Sequence, residues 1–152
     1  MPPVVDVKGL VETQRKLEQT IADLRGDAFL QGMRDATLMV SRSAKERAPV
    51  DTGRLRATIT PEIRREGNTT LGVVGSNVKY AAAVELGSKP HFPPLAALEN
   101  WARRHGTTAY VVARAIARRG TKAKRFLQGA FDENKDAIVR KLGDVVGRIV
   151  NK

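Results

Sequence analysis

Two histidines, His91 and His105, and a few grouped carboxylates are the side chains whose types could support acid–base or metal chemistry. Neither histidine has a second ligand at helical or hairpin spacing, Glu85 being the carboxylate nearest His91. A metal site wants about three or four ligands. The pattern therefore predicts a loop side chain at His91 and a helix-terminal cation at His105, which the helix dipole favours. Glu12/Glu18 and Asp132/Glu133/Asp136 fall on exposed faces of expected helices and read as solubility and capping charges. Ser41 and Ser43 lie on an expected helix without a nucleophile-elbow pattern. Gly72, Gly75 and Gly87 make no phosphate loop, since neither Gly-Lys-Ser/Thr nor GxGxxG order is present. The chain has no cysteine, which removes thiolate catalysis, disulfides and cysteine-bound zinc together. No catalytic residue, cofactor or metal is assigned, and the expectation is a protein that is not an enzyme.

Charge is more informative. The net charge is +11, and its placement is uneven. Residues 1–75 carry 12 basic and 10 acidic side chains, whereas residues 76–152 carry 15 and 6. Between Asn100 and Phe131 stand eight basic residues and no acidic one: Arg103, Arg104, Arg114, Arg118, Arg119, Lys122, Lys124 and Arg125. Such a one-signed segment suits a polyanion such as DNA or an acidic protein surface, and it also suits a solvated helix face. Glu85 stands out for the opposite reason, as a carboxylate in an otherwise apolar helix beside Tyr80. It needs a partner. Either it satisfies backbone within the fold, or it pairs with an arginine in the chain or across a subunit boundary.

The elements that position these residues follow from periodicity. From Val7 to Leu24, Leu10, Leu17, Ile21 and Leu24 recur as the narrow stripe of an amphipathic helix. Arg25-Gly26-Asp27 interrupts it, with Gly26 expected as a left-handed C-cap and Asp27 as the next N-cap. A second helix runs to about Arg47, with Phe29, Met33, Ala36, Val40 and Ala44 on one face. Pro49 ends it. Asp51 and Thr52 are expected to cap a short turn, and Gly53 to take backbone angles that other residues resist.

Beyond the turn, β-branched residues alternate with polar ones. Glu66-Gly67-Asn68 marks the corner of a hairpin over about Thr58–Arg65 and Thr69–Gly75, and Pro61 places the first strand at an edge or a bulge. A short helix is expected over Val78–Leu86, then a rigid connector, then a helix over Leu95–Arg104 with Leu95, Leu98 and Trp101 on one side. A further helix stops at Gly120. From about Lys124 a long terminal helix carries Leu127, Phe131, Ile138, Leu142, Val145 and Ile149. The sum is one α+β domain over 1–152. Its parts are an N-terminal helical part (7–47), a β-hairpin with a short helix (55–90), a basic helical insertion (91–123) and a C-terminal helix (124–150). No signal-peptide pattern and no run of roughly 20 apolar residues appears, so no membrane partner is expected.

Three stretches, read in order, carry a resemblance. "KERAPVDTGRLRATI" supplies Pro49, Asp51, Thr52, Gly53, Arg54 and Leu55, "YAAAVELGS" supplies Tyr80, Ala81, Glu85 and Gly87, and "FLQGAFDENKDAIVRKL" follows. Together they resemble small tail-component proteins of long-tailed bacteriophages, the neck or tail-completion proteins. Arg125 and Gly129 stand where that pattern has proline, and the stretch from His91 to Lys124 resembles a longer insertion that some members carry.

The resemblance implies a homo-oligomeric ring at the head–tail junction, hexameric in the particle, between the head connector and the tail tube or terminator. The basic residues would then contact passing DNA or an acidic partner. The narrow stripe of Leu10, Leu17, Ile21 and Leu24, set apart from the remaining core by Gly26, reads by itself as a subunit interface, and the resemblance implies a virion protein assembled in the host cytoplasm. A tail-terminator ring protein and a free, non-sequence-specific DNA-binding module are the rival readings. A nuclease is more distant, because the carboxylates are not clustered for Mg²⁺.

Overall fold

The computed structural model describes residues 8–151 as nine elements. These are α1 (Lys8–Leu24), α2 (Asp27–Arg47), α3 (Arg54–Thr58), β1 (Ile59–Glu66), β2 (Thr69–Ser76), α4 (Ala81–Leu86), α5 (Leu95–Arg104), α6 (Ala109–Arg119) and α7 (Phe126–Val150). The class is α+β, with mostly helix and one two-stranded antiparallel hairpin. Val7, the expected start of the first helix, lies outside the described residues. Among the described residues no helix is long and apolar enough to cross a membrane. The chain divides into two compact units.

The first unit takes residues up to Met39, Glu62–Val73 and the chain from Asn134 onward. The link from α1 to α2 is tighter than expected. Gly26 is not left-handed, and Asp27 is the first residue of α2, not its N-cap. A two-residue link leaves no room for separate caps. Instead the Gly26 carbonyl accepts the Leu30 N–H at 3.2 Å and opens α2 itself, and a Cβ on Gly26 would come within 3.1 Å of the Asp23 carbonyl. Asp27 still favours the positive end of the helix dipole.

On α2, Gly32, Ala36 and Thr37 are buried, and a Cβ on Gly32 would come within 3.1 Å of Val145 on α7. Thr37 donates its hydroxyl to the Met33 carbonyl at 2.7 Å, which is how a buried threonine is satisfied inside a helix. Gly72 on β2 lies where any side chain would overlap that hydroxyl. The hairpin corner is two residues, Gly67 at φ 59° followed by Asn68. Glycine in the first place suits a II′-type turn. Arg25 reaches that corner, donating to the Asn68 side chain at 3.0 Å.

The second unit, Val40–Pro61 with Val74–Glu133, is built on small side chains. Ala44, Ala48, Ala81, Ala102, Ala113 and Ala130 are buried, and they fill space that an aromatic-poor chain would otherwise leave to large residues. Leu55, Ile59 and Phe126 supply the bulk, Phe126 being the largest side chain that is fully buried.

Two expected faces shift. Phe126 and Ala130, not Leu127 and Phe131, are buried at the start of α7, and Phe131 is 47% exposed. The stripe therefore steps by four from Phe126 through Ala130 and Asn134 to Ile138, so counting back from Ile138 by seven lands one residue late. On α5 the buried residue is Ala102, while Leu95 and Trp101 stay exposed and only Leu98 is half-buried. A small residue lets that helix seat closely, and its larger neighbours remain outside.

Candidate functional site

The turn at 47–59 is organised by backbone and by one ion pair. The α2 helix ends at Arg47, Ala48 is buried, and Pro49, Val50 and Thr52 are exposed. Gly53 has φ 79° and ψ −7°, the left-handed region. Its position opens α3, a single turn that the sequence reading missed, and Leu55 on that turn is buried while Arg54 is exposed. Asp51 does not cap the turn. Its carboxylate is held by the Arg104 guanidinium, with Nε at 3.1 Å and Nη2 closer still. Hydrogen bonding from Arg104 pulls the Asp51 carboxyl below its ordinary value and raises the guanidinium. Thr58 closes α3 by donating to the Arg54 carbonyl at 3.0 Å, and its hydroxyl lies 2.8 Å from that of Ser76.

The second stretch works as a clasp on α7. Both carboxylate oxygens of Glu85 accept backbone N–H groups there, from Leu127 at 2.8 Å and from Gln128 at 2.9 Å. The first N–H groups of a helix have no intrahelical partner, so a carboxylate from a distant element does the work of an N-cap. Of the two readings of Glu85, the structure shows backbone satisfaction within the fold. Lys124 and Arg125 add N–H donations to the Val84 and Glu85 carbonyls at 2.8 and 3.1 Å.

Gly87 has φ 73°, and a Cβ there would overlap the Thr121 carbonyl. Ser88 and Thr121 then pair as an antiparallel bridge. Arg125 has φ 47° and is the only non-glycine with positive φ among the described residues. Proline, fixed near −65° and lacking an N–H, fits neither that backbone nor that hydrogen bond. The departure from the proline pattern at Arg125 therefore has a local cause. Tyr80 is exposed and Ala81 is buried.

The basic segment separates into tied and outward side chains. Arg104 is committed to Asp51, and Arg103 donates to the Asn100 side chain. Arg114, Arg118, Arg119, Lys122 and Lys124 are exposed. Thr108 caps α6 by accepting the Val111 N–H at 3.4 Å, and the outward face of that helix runs Tyr110, Val111, Arg114, Arg118. Arg114 lies over Tyr110, 5.8 Å from its ring centroid, and Phe92 lies 6.3 Å from Tyr110. Sequence reading missed these exposed aromatics. The four-residue step from Tyr110 to Arg114 was the available signal. Cations beside aromatic groups can contact phosphates or carboxylates.

The remaining candidates have structural partners. His91 Nδ1 lies 2.9 Å from the Lys89 carbonyl, and His105 terminates α5 with Nδ1 2.8 Å from the Trp101 carbonyl and its ring stacked on Trp101. Among the described residues no group of three or more His, Cys, Asp or Glu side chains could hold a metal ion. Glu133 is more than a solubility charge. It accepts from Ser43 at 2.8 Å and Arg47 at 3.1 Å, and these donors hold its carboxyl below the ordinary value. Glu18 accepts from Gln14, and Asp132 from Gln128, each at 2.9 Å. On α1, Leu10, Leu17 and Ile21 are exposed and Leu24 is half-buried.

No curated protein and no solved structure matches the chain. A family model does match, over residues 12–87, and its description reads "Bacteriophage HK97-gp10, putative tail-component". That span contains the turn at Pro49–Leu55, the hairpin and the segment through Gly87. The chain belongs to the HK97-gp10-like family of bacteriophage tail components.

Proposed function

We propose that the chain is a structural subunit of a ring at the head–tail junction, standing between head connector and tail tube. It acts by binding its neighbours and catalyses nothing. The observation that carries this reading is the exposed, one-signed face of α6 and the residues after it, on a member of a tail-component family. Arg114 and Arg118 stand four apart on a helix, where like charges are unfavourable. Arg119, Lys122 and Lys124 add to them, and no acidic residue lies between Asn100 and Phe131 to offset the repulsion. A ring around passing DNA uses such a face without needing base contacts, since phosphate attraction is independent of sequence.

The test replaces Arg114, Arg118 and Arg119 with Gln. The variant is expected to fold at least as stably as the parent and to give fewer joined, infectious particles. DNA retention by the purified protein is expected to fall at low salt and to differ little at high salt, because screening shortens to about 3 Å near 1 M salt. Imaging of the parent for rings decides the assembly part. Normal particle yield together with parental DNA retention would reduce the basic face to a solvated surface.

A further inference from the structure

An apolar seam runs along α1, and among the described residues it stays largely exposed. Leu10, Leu17 and Ile21 are 63%, 60% and 44% exposed, and every residue from Gly9 to Gln19 is exposed. With Gln14 included, the seam reads Leu10, Gln14, Leu17, Ile21, Leu24, in steps of four, three, four and three. This is the a/d spacing of a coiled coil, and only another helix with the same repeat fills it knob by knob. Leucine takes the d positions at 10, 17 and 24. Gln14 and the β-branched Ile21 take the a positions.

Gln14 selects the helix that fits. Against an apolar residue, a glutamine in a closed seam gives up water and gains no partner. Against its own copy, each amide can donate to the other and accept in return. One N–H of Gln14 already goes to Glu18 at 2.9 Å along the helix, leaving the second N–H and the oxygen for the other amide. Like meets like only when the two helices run parallel and in register. In that register Thr13 flanks Glu18 of the second copy and Thr20 flanks Arg25, so no like charges meet.

We infer that the α1 seam is filled by α1 of a second copy of this chain, parallel and in register, with Gln14 fixing the register. This rests on the reading of the chain as a self-associating subunit, and it names the element through which copies meet. Two chains must meet to close the seam, so the pairing strengthens with protein concentration.

The chain lacks cysteine, so single substitutions report cleanly. Gln14→Cys places two thiols face to face across the seam, within the Cα separation of roughly 4.4–6.8 Å that a disulfide needs. Glu12→Cys lies on the outer side of the same helix. Under mild oxidation Gln14→Cys is expected to give at least about tenfold more covalent dimer than Glu12→Cys. In the cysteine-free chain, Leu17→Asp is expected to lower the light-scattering mass to that of one chain while the circular dichroism of the folded state is kept. Should Leu17→Asp unfold, the cysteine pair still decides.

Equal cross-linking at both positions overturns the inference. So does its absence at position 14 in a chain that associates by mass. Rings without the position-14 cross-link would keep the ring reading and discard the seam. The cross-link in a chain that forms no rings would keep the seam and discard the ring reading.

Discussion

Gly53 and Gly87 share a positive φ and differ in ψ, −7° against −177°, and in their surroundings. Nothing lies near the space a Cβ would take at Gly53, whereas at Gly87 that space is filled by the Thr121 carbonyl. Gly53→Val is expected to cost about 1–3 kcal/mol through backbone strain alone, and Gly53→Asn much less, because asparagine tolerates this region. Gly87→Asn should not be rescued in the same way. Thermal melts separate the two, and an unchanged midpoint for Gly53→Val would remove the conformational requirement. Phe126 and Phe131 form a second contrast. Phe126→Ala is expected to cost about 3–5 kcal/mol by emptying a buried site, while Phe131→Ala, at the surface, changes little. The Gly53 turn was legible because a proline ends the preceding helix and a glycine accepts the left-handed corner. The burial of Phe126 was not, because it depends on Arg125 and Glu85 setting the phase of α7.

Among the elements, α7 owes its start to α4. Without the Glu85 carboxylate, the Leu127 and Gln128 N–H groups lose their acceptor, so Glu85→Ala is expected to cost about 1–2 kcal/mol, as loss of a good N-cap does. Glu85→Gln keeps one acceptor oxygen and turns an N–H₂ toward the other donor, so its melting midpoint should fall between those of Glu85→Ala and the parent. Equal midpoints for all three would show that α7 starts without this clasp. The hairpin, α5 and α6 were readable from sequence because each carries its own local signals. The Glu66-Gly67-Asn68 corner fixes the strands, and Gly120 stops α6 at the expected place. What joins elements was not readable. Glu85 with Leu127 and Asp51 with Arg104 pair residues 42 and 53 apart in sequence. A charge pattern shows that such residues need partners without naming them.

For the molecule as a whole, acid stability follows from its paired carboxylates. Asp35 is held below its ordinary value by Lys141 and Gln31, Asp51 by Arg104, and Glu133 by Ser43 and Arg47. These groups bind protons less readily folded than unfolded, so they favour the fold above the ordinary carboxylate range. That contribution disappears as pH falls through the depressed values. The melting midpoint is therefore expected to decline below about pH 4, helped by the self-repulsion of a chain already at +11. A midpoint that holds or rises on acidification would contradict this. The Ser88–Thr121 bridge has a different kind of consequence. Residues 89–120, with α5, α6 and most of the one-signed charge, leave and rejoin the chain at a single hydrogen-bonded point, one residue past the end of the family match. A stretch whose ends already touch can be excised and spliced with a short turn, at little entropic cost to the chain that remains. The splice would still leave Asp51 without Arg104, so a shortened chain is expected to close its backbone easily and to lose the ion pair that ties this segment to the turn before α3.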